Sequence, residues 1–262
     1  NDILPLTLRE LEQYCQVNGH HFIFKQANHH TLNSMFDSDN LIETDGILML
    51  GTEYHHRPSS AFYSCGKPIV TLDGLYPEEP ISTVNIDNAY GVFKLIEYLF
   101  LMGHRQIGYI KSRIPFGCLQ AREISLYSAL RKFNMTLDKK NILEVSTESK
   151  QIQEEVGQFF LQKDNLPTAF FADNDFLAIS SIQAIQHAGY SVPDDISIVG
   201  FDDLDICTLL KPYLTTSHVD FSSMARIAIR HLMNMIEEPD FPLAKLTVAT
   251  KFIERDSVKK IN

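Results

Sequence analysis

Residues 167–189, PTAFFADNDFLAISSIQAIQHAG, decide the fold class of this chain. Residues 168–172 are apolar at nearly every position, which is typical of a strand covered on both faces in a parallel sheet. From Phe176 onward, apolar side chains recur at helical spacing as far as Gly189, a residue type that often follows a helix. The stretch therefore predicts a buried strand that leads into a helix.

The same alternation of short apolar runs and amphipathic stretches continues along the chain. Helical spacing marks residues 92–102 before Gly103, as well as residues 4–17 and 222–236. The predicted strands are His21–Lys25, Gly46–Leu50, Pro68–Leu72, Gln106–Lys111, Asn141–Val145, Thr168–Ala172 and Ile196–Phe201. Strands that alternate with helices predict βαβ units with right-handed crossovers, hence an α/β fold.

These strand–helix units are too many for one sheet in 262 residues, so we predict two parallel-sheet lobes. Irregular stretches at 112–117, 210–216 and 237–242 would let the chain cross between the lobes three times. The predicted N-terminal lobe is 1–111 plus 218–244, and the C-terminal lobe is 112–217 plus 245–262. Because ligands of open parallel sheets bind beyond the carboxyl ends of the strands, we expect a ligand site in a cleft between the lobes.

The charge balance bears on the partners of the chain. With 33 Asp and Glu against 23 Lys and Arg, the net charge is −10 at pH 7, which argues against DNA binding by this chain itself. The most apolar long stretch, Val92–Met102, contains two charged residues and is too short to cross a bilayer. We expect a cytoplasmic protein with no membrane partner, whose four widely spaced cysteines are reduced.

The sequence contains none of the usual catalytic or nucleotide-binding motifs. Glycine-rich phosphate loops, the Gly-x-Ser-x-Gly nucleophile motif and His-Glu-x-x-His are all absent. Adjacent histidines, as at His20-His21, point to opposite faces of a strand and do not chelate one ion. We therefore predict neither an enzyme nor a bound cofactor or metal.

Polar residues at the predicted strand ends suggest a binding site. Asn174 and Asp175 begin a helix, where they could also serve as ordinary caps, and Asp202 follows the next strand. Arg122 opens another helix and could equally be a solvated charge. Together these four side chains offer the acceptors and fixed donors that a polyol such as a sugar requires. Aromatic walls for such a ligand would come from Phe116 or Tyr90.

A series of motifs resembles the lactose/galactose repressor family. The matching segments, in the order of that family, are Asn85–Gly91 (NIDNAYG), Tyr98–Ile107 (YLFLMGHRQI), Arg122 with Ala129-Leu130, Pro167–Ala178, Gly189–Asp203 (GYSVPDDISIVGFDD), Pro212–Thr216 (PYLTT) and Phe252–Ser257 (FIERDS). Each motif alone is weakly specific, but the ordered set extends over nearly the whole chain and is strongly specific.

The resemblance implies an effector-binding and dimerisation core with a periplasmic-binding-protein-like fold. In the family, a sugar or purine binds between two lobes and alters how a homodimer presents its DNA-reading helices to operator DNA. Carried to the matching positions, Arg122, Asn174 and Asp202 would contact the effector and Asp175 would support them. Phe116 and the pair Ile3-Leu4 lie where some family members place further ligand-contacting residues.

The sequence also departs from the family pattern. Ser125-Leu126 replaces Gly-Phe after the arginine, and Ser180-Ser181 replaces a common glycine, both on predicted helices. The DNA-binding helix-turn-helix and the first strand of the family do not precede Ile3. We therefore expect that further residues precede Asn1 in the native chain, so that operator DNA would be read by a domain missing here.

Two classes of binding protein fit these observations. The first is a ligand-responsive transcriptional regulator, expected to be dimeric. The alternative is the extracytoplasmic solute-binding protein of a sugar transporter, which would share the fold and be monomeric. The motif series favours the regulator. An enzyme acting on a sugar has little support, because no catalytic constellation accompanies the polar residues.

Overall fold

The computed structural model describes residues 3–26, 36, 44–51, 62, 65–74, 76, 78–114, 116–162 and 165–261. The chain divides into two compact units. The first unit comprises Asn1–Ile86, Phe116–Cys118 and Asp220–Val248, and the second comprises Asp87–Pro115, Leu119–Val219 and Ala249–Asn262. Among the described residues, no helix is both long enough and apolar enough to span a bilayer.

The secondary structure alternates as the sequence predicts. The strands are β1 (Ile47–Leu50), β2 (Ile69–Leu72), β3 (Ser82–Ile86), β4 (Ile107–Ser112), β5 (Ile142–Val145), β6 (Ala169–Ala172), β7 (Ser197–Val199), β8 (Thr216–His218), β9 (Lys245–Val248) and β10 (Lys251–Ile253). The helices are α1 (Ile3–Val17), α2 (Asn88–Leu101), α3 (Gly117–Lys132), α4 (Ser149–Gln162), α5 (Asp175–His187) and α6 (Phe221–Glu237).

The first unit contains a four-stranded parallel sheet in the order β1-β2-β3-β9. Helix α6 packs on β2 and β3 and also against α1. Its buried side is apolar at helical spacing, including Met224, Ala228 and Leu232. The Asp220 side chain accepts a hydrogen bond from the Ser223 amide and so caps the start of α6.

The second unit contains a four-stranded parallel sheet in the order β5-β4-β6-β7. Its core joins the apolar residues of β6 and β7 to the buried sides of α4 and α5. The chain moves from β4 outward to β5 and then back to β6 on the other side of β4, so the strand order reverses between β4 and β6. Ligands of such sheets bind in the crevice beyond the carboxyl ends at this reversal.

Two short strands of the second unit lie at the points where the chain leaves and re-enters it. Strand β8 pairs antiparallel with β10, with Phe252 opposite Ser217. The chain passes to the first unit after Val219 and returns at Ala249. We call β8 and β10 the crossover strands.

Most of the predicted elements are confirmed. Helices lie at all five predicted places, and Gly103 and Gly189 both have positive φ after a helix end. Six of the seven predicted strands overlap an observed strand. The prediction for His21–Lys25 is wrong, because this apolar run has no strand structure and is exposed. Four observed strands, β3, β8, β9 and β10, were not predicted, since their sequences are short or alternate with polar residues.

The unit boundaries differ from the predicted lobes, 1–111 with 218–244 and 112–217 with 245–262. Residues 87–111 belong to the second unit, because β4 pairs with β5 and β6. Residues 245–248 belong to the first unit, because β9 pairs with β3. Apolar periodicity identifies a strand but does not say which sheet it joins.

Candidate functional site

The candidate site lies at the carboxyl edge of the sheet in the second unit, where its strand order reverses. Asp173, Asn174 and Asp175 follow β6, and Asp202 and Asp203 follow β7. Helix α3, which comes after β4, contributes Arg122. The parallel strands bring these residues to one edge although they are far apart in sequence.

Arg122 is the centre of the site and is only 2% exposed. Its Nη2 donates to Asp202 Oδ1 at 2.7 Å, its Nε to Asn88 Oδ1 at 3.0 Å, and its Nη1 to the Asp173 carbonyl at 2.7 Å. The guanidinium carbon also lies 3.9 Å from the centre of the Phe201 ring. Arg122 therefore joins α2, β6 and β7 through a planar, permanently charged group.

The position of Phe201 depends on a glycine in α2. A Cβ atom at Gly91 would lie 2.6 Å from the Phe201 ring and 2.7 Å from Thr250 Oγ1. Because such contacts are too short, any larger residue at position 91 would displace the ring beneath Arg122. The glycine of the NIDNAYG motif thus has a packing role at this site.

Asp173 lies next to Arg122 and is fully buried. Its carboxylate accepts hydrogen bonds from Tyr109 Oη at 2.5 Å and from the Ser112 amide at 2.7 Å. Burial raises the pKa of Asp173 to about 6, although these bonds and Arg122 oppose the shift. Burial also raises the pKa of the Tyr109 phenol, which therefore remains a donor at neutral pH.

Asp175, the first residue of α5, is also buried. Its Oδ1 accepts from Thr216 Oγ1 at 2.5 Å and its Oδ2 from the Leu204 amide at 2.9 Å. Burial and the charge of Asp202 raise the pKa of Asp175 to about 7. Because Thr216 belongs to β8, Asp175 links the candidate site to a crossover strand.

Asn174 and Asp202 are placed differently from one another. Asn174 caps α5, since its side chain accepts from the Leu177 amide at 2.9 Å, and it is partly exposed. Asp202 is buried, and burial raises its pKa while Arg122 opposes the shift. A ligand hydroxyl that meets the Arg122–Asp202 pair could accept from the guanidinium and donate to the carboxylate.

The other predicted residues lie elsewhere in the chain. Tyr90 lies on α2 and is 46% exposed. Phe116 is partly buried and groups with the first unit, as does Leu4 on α1. Ile3 begins α1, but its side chain lies outside the described residues. Their roles in ligand binding stay predictions.

The network also contains residues that the sequence did not single out, namely Asn88, Asp173 and Phe201. All three fall within the quoted motifs. Asp173 and Phe201 are each adjacent to a predicted site residue, and Asn88 is the first residue of α2. The signal that could have found Asp173 is its position directly after a buried strand.

Within the described residues, no group of three or more His, Cys, Asp and Glu side chains is arranged to hold a metal ion.

Comparison with known proteins places the chain in a family. Residues 96–258 match the family described as periplasmic binding protein-like domain. The HTH-type transcriptional repressor PurR of Mannheimia succiniciproducens is 30% identical over 219 residues, which are 83% of this chain and 65% of that protein. The probable HTH-type transcriptional repressor ExuR of Bacillus subtilis is 28% identical over 236 residues, 86% of this chain and 68% of that protein.

A solved structure shares the fold. It is a regulator of the lactose repressor family from Enterococcus faecium with bound ribose. The two structures superpose with a TM-score of 0.85 and 22% sequence identity, and the match covers 100% of this chain and 96% of that one. The chain thus spans about two thirds of the length of the two repressors. It belongs to the family of periplasmic binding protein-like domains, and its resemblance to the lactose/galactose repressors is confirmed.

Proposed function

We propose that this chain is the effector-binding core of a ligand-responsive transcriptional regulator, most simply a repressor. The observation that carries the proposal is the buried Arg122–Asp202 pair at the reversal point of a parallel sheet. A fixed guanidinium beside a carboxylate suits a small polar effector, such as a sugar, a sugar derivative or a nucleobase. Because the Arg122 guanidinium already donates to protein oxygens, the effector would replace one of these hydrogen bonds.

The relatives favour regulation over transport. Two of them are named as repressors, and a structural neighbour is named as a regulator with bound ribose. The site supplies donors and acceptors without a nucleophile–base pair, which is consistent with binding and release of an unchanged ligand. The output would be allosteric: an effector that binds two arrangements unequally shifts their populations.

The proposed partners follow from charge and from the exposed surface. A net charge of −10 makes this chain a poor DNA ligand, so operator contact would belong to another part of the whole cytoplasmic protein. The second unit exposes Leu209 and Leu210 by 71% and 48% beside partly exposed Tyr213. We propose that these apolar residues contribute to a homodimer, since exposed apolar surface can mark an interaction site.

Ligand-dependent thermal shift tests the effector site directly. A panel of ribose, cellobiose, sugar phosphates and nucleobases should contain a compound that stabilises the chain by about 2.7 kcal/mol at one hundred times its Kd. Asp202→Asn should remove that stabilisation, because the neutral amide no longer forms the ion pair. Asp194→Asn is the matched control, since it removes the same charge from an exposed pair with Lys259.

An unchanged ligand shift in Asp202→Asn would show that the effector binds elsewhere. In the whole protein, operator affinity should change when the stabilising compound is added. Operator affinity that no stabilising compound alters would remove the regulatory part of the proposal.

A further inference from the structure

Two consecutive aspartates at the end of β7 have an unusual backbone conformation. Asp202 has φ of 114° and Asp203 has φ of 61°, both in the region that favours glycine. Non-glycine residues in such regions are strained, and they persist only where surrounding contacts hold them. The contacts of these two residues therefore indicate what the strain maintains.

Asp202 joins the Arg122 guanidinium to a crossover strand. Its carboxylate pairs with Arg122 Nη2 at 2.7 Å. Its amide donates to the Ser217 carbonyl at 2.9 Å, and its carbonyl accepts from the Val219 amide at 3.1 Å. One residue thus has its side chain on the candidate site and its backbone on β8, at the point where the chain leaves the second unit.

Asp203 makes the complementary contacts with its side chain. Arg255 Nη2 donates to Oδ1 at 2.5 Å, and His218 Nδ1 lies 3.1 Å from Oδ2. His218 belongs to β8 and Arg255 follows β10, so one carboxylate contacts residues of both crossover segments. Arg255 is further fixed by donation from Nη1 to the Leu214 carbonyl at 2.8 Å.

We propose that Asp203 is a positioning residue that holds Asp202 in its left-handed conformation and thereby keeps the Asp202 carboxylate on Arg122. Through the same carboxylate, Asp203 connects the state of the Arg122–Asp202 pair to β8 and to the segment that follows β10. A ligand that altered the pair would then alter the anchoring of the segments by which the chain enters and leaves this unit. This last step depends on the proposed effector role of the pair.

The test measures the Arg122 side chain while changing Asp203. Asp203→Asn keeps the size of the side chain but loses the ion pair with Arg255. We expect the Arg122 Nε–H, which donates to Asn88, to exchange with solvent about tenfold faster in this variant, as measured by nuclear magnetic resonance. The effect would reach Arg122 through the relaxed backbone of Asp202.

If Asp203 fixed only its direct contacts, β8 and Arg255, the result would be different. Faster exchange of the Val219 and Arg255 amides with an unchanged Arg122 Nε–H would overturn the proposal. Asp194→Asn, which removes an equal charge elsewhere in the unit, should leave Arg122 exchange unchanged; a tenfold increase there would also overturn it.

Arg255→Lys provides a second variant that keeps the positive charge but loses the planar donor group. It should accelerate Arg122 exchange in the same direction by a smaller factor, and it remains informative if Asp203→Asn does not fold. An unchanged Arg122 in a folded Arg255→Lys variant would contradict the proposal. Since no effector is added, this outcome is independent of whether the proposed function holds.

Discussion

The two parallel sheets end in contrasting ways at their carboxyl edges. In the first unit, Gly51 follows β1 and Gly74 lies just beyond β2, and a Cβ on Gly51 would lie 2.8 Å from the Gly74 Cα. In the second unit, the corresponding edge holds three buried carboxylates, those of Asp173, Asp175 and Asp202, and the Arg122 guanidinium pairs with the last of these. The described part of the first sheet has one buried carboxylate at this edge, Asp73.

The contrast shows that similar sheets can be completed by different physical means. One edge depends on close backbone approach, which is sensitive to volume. The other depends on compensation of buried charge, which is sensitive to pH and to loss of a partner. Substitutions that remove charge should therefore cost more in the second unit than in the first.

Loss of the buried guanidinium should have the largest effect. Arg122→Met leaves Asp202 buried without its cation, so we expect the free energy of unfolding to fall by about 3–5 kcal/mol in urea titrations. Lys245→Met in the first unit removes an exposed cation at the amino end of β9 that donates to the Tyr76 and Glu79 carbonyls, and it should cost about 1 kcal/mol. Equal costs would contradict the charge-based view of the second edge.

The next largest effect should be a pH dependence of stability that arises from the second unit. The pKa values of Asp173 and Asp175 are raised to about 6 and about 7, so the folded state binds more protons than the unfolded state above pH 4. Their contribution is therefore fully present at low pH and is lost as the pH rises through 6 to 7. Asp175→Asn should remove on the order of 2–4 kcal/mol of this loss between pH 5 and pH 8.

Thr216→Val sharpens the same measurement. The threonine hydroxyl donates to Asp175 and favours its charged form, so its removal should move the midpoint of the pH dependence upward. A midpoint that moves downward, or an unaltered dependence in Asp175→Asn, would show that other groups govern the titration.

Added volume should have the smallest of these effects, and Gly51 tests it in the first unit. Gly51→Ala would force the β1 and β2 ends apart and should cost about 1–3 kcal/mol by thermal or urea unfolding. Gly157→Ala is the control: this α4 glycine has nothing within 4 Å of an added Cβ, so alanine should stabilise the chain by about 0.5–1 kcal/mol. If Gly51→Ala were neutral, close backbone approach would not be what completes this edge.

The fold was predictable where apolar periodicity and strand-end residues agree. The stretch 167–189 gave β6, α5 and the Asn174 cap in the observed places. Strand β9 was missed because only alternate residues of Lys245–Val248 are partly buried, and its partner β3 lies far away in sequence. His21–Lys25 was misassigned because apolar composition alone does not supply a neighbouring strand.

The charged residues of the candidate site were predictable, but the contacts that bury Arg122 were not. The motifs led to Arg122, Asp175 and Asp202, which the structure places in one network. The roles of Asn88 and Phe201 depend on tertiary convergence around the guanidinium, and no local spacing encodes it. Burial of Arg122 was also not foreseeable, since an arginine on a helix is most often solvated.

The late position of β9 and β10 affects how the chain can fold as it is synthesised. Each unit contains one of these strands, so neither is complete until residues 245–253 have left the ribosome. At about 5–20 residues per second, the earlier strands wait many seconds for these partners. Folding of both units should therefore finish nearly together, once these strands have been synthesised, and chains released before that point would expose unfinished edges to chaperones and proteases.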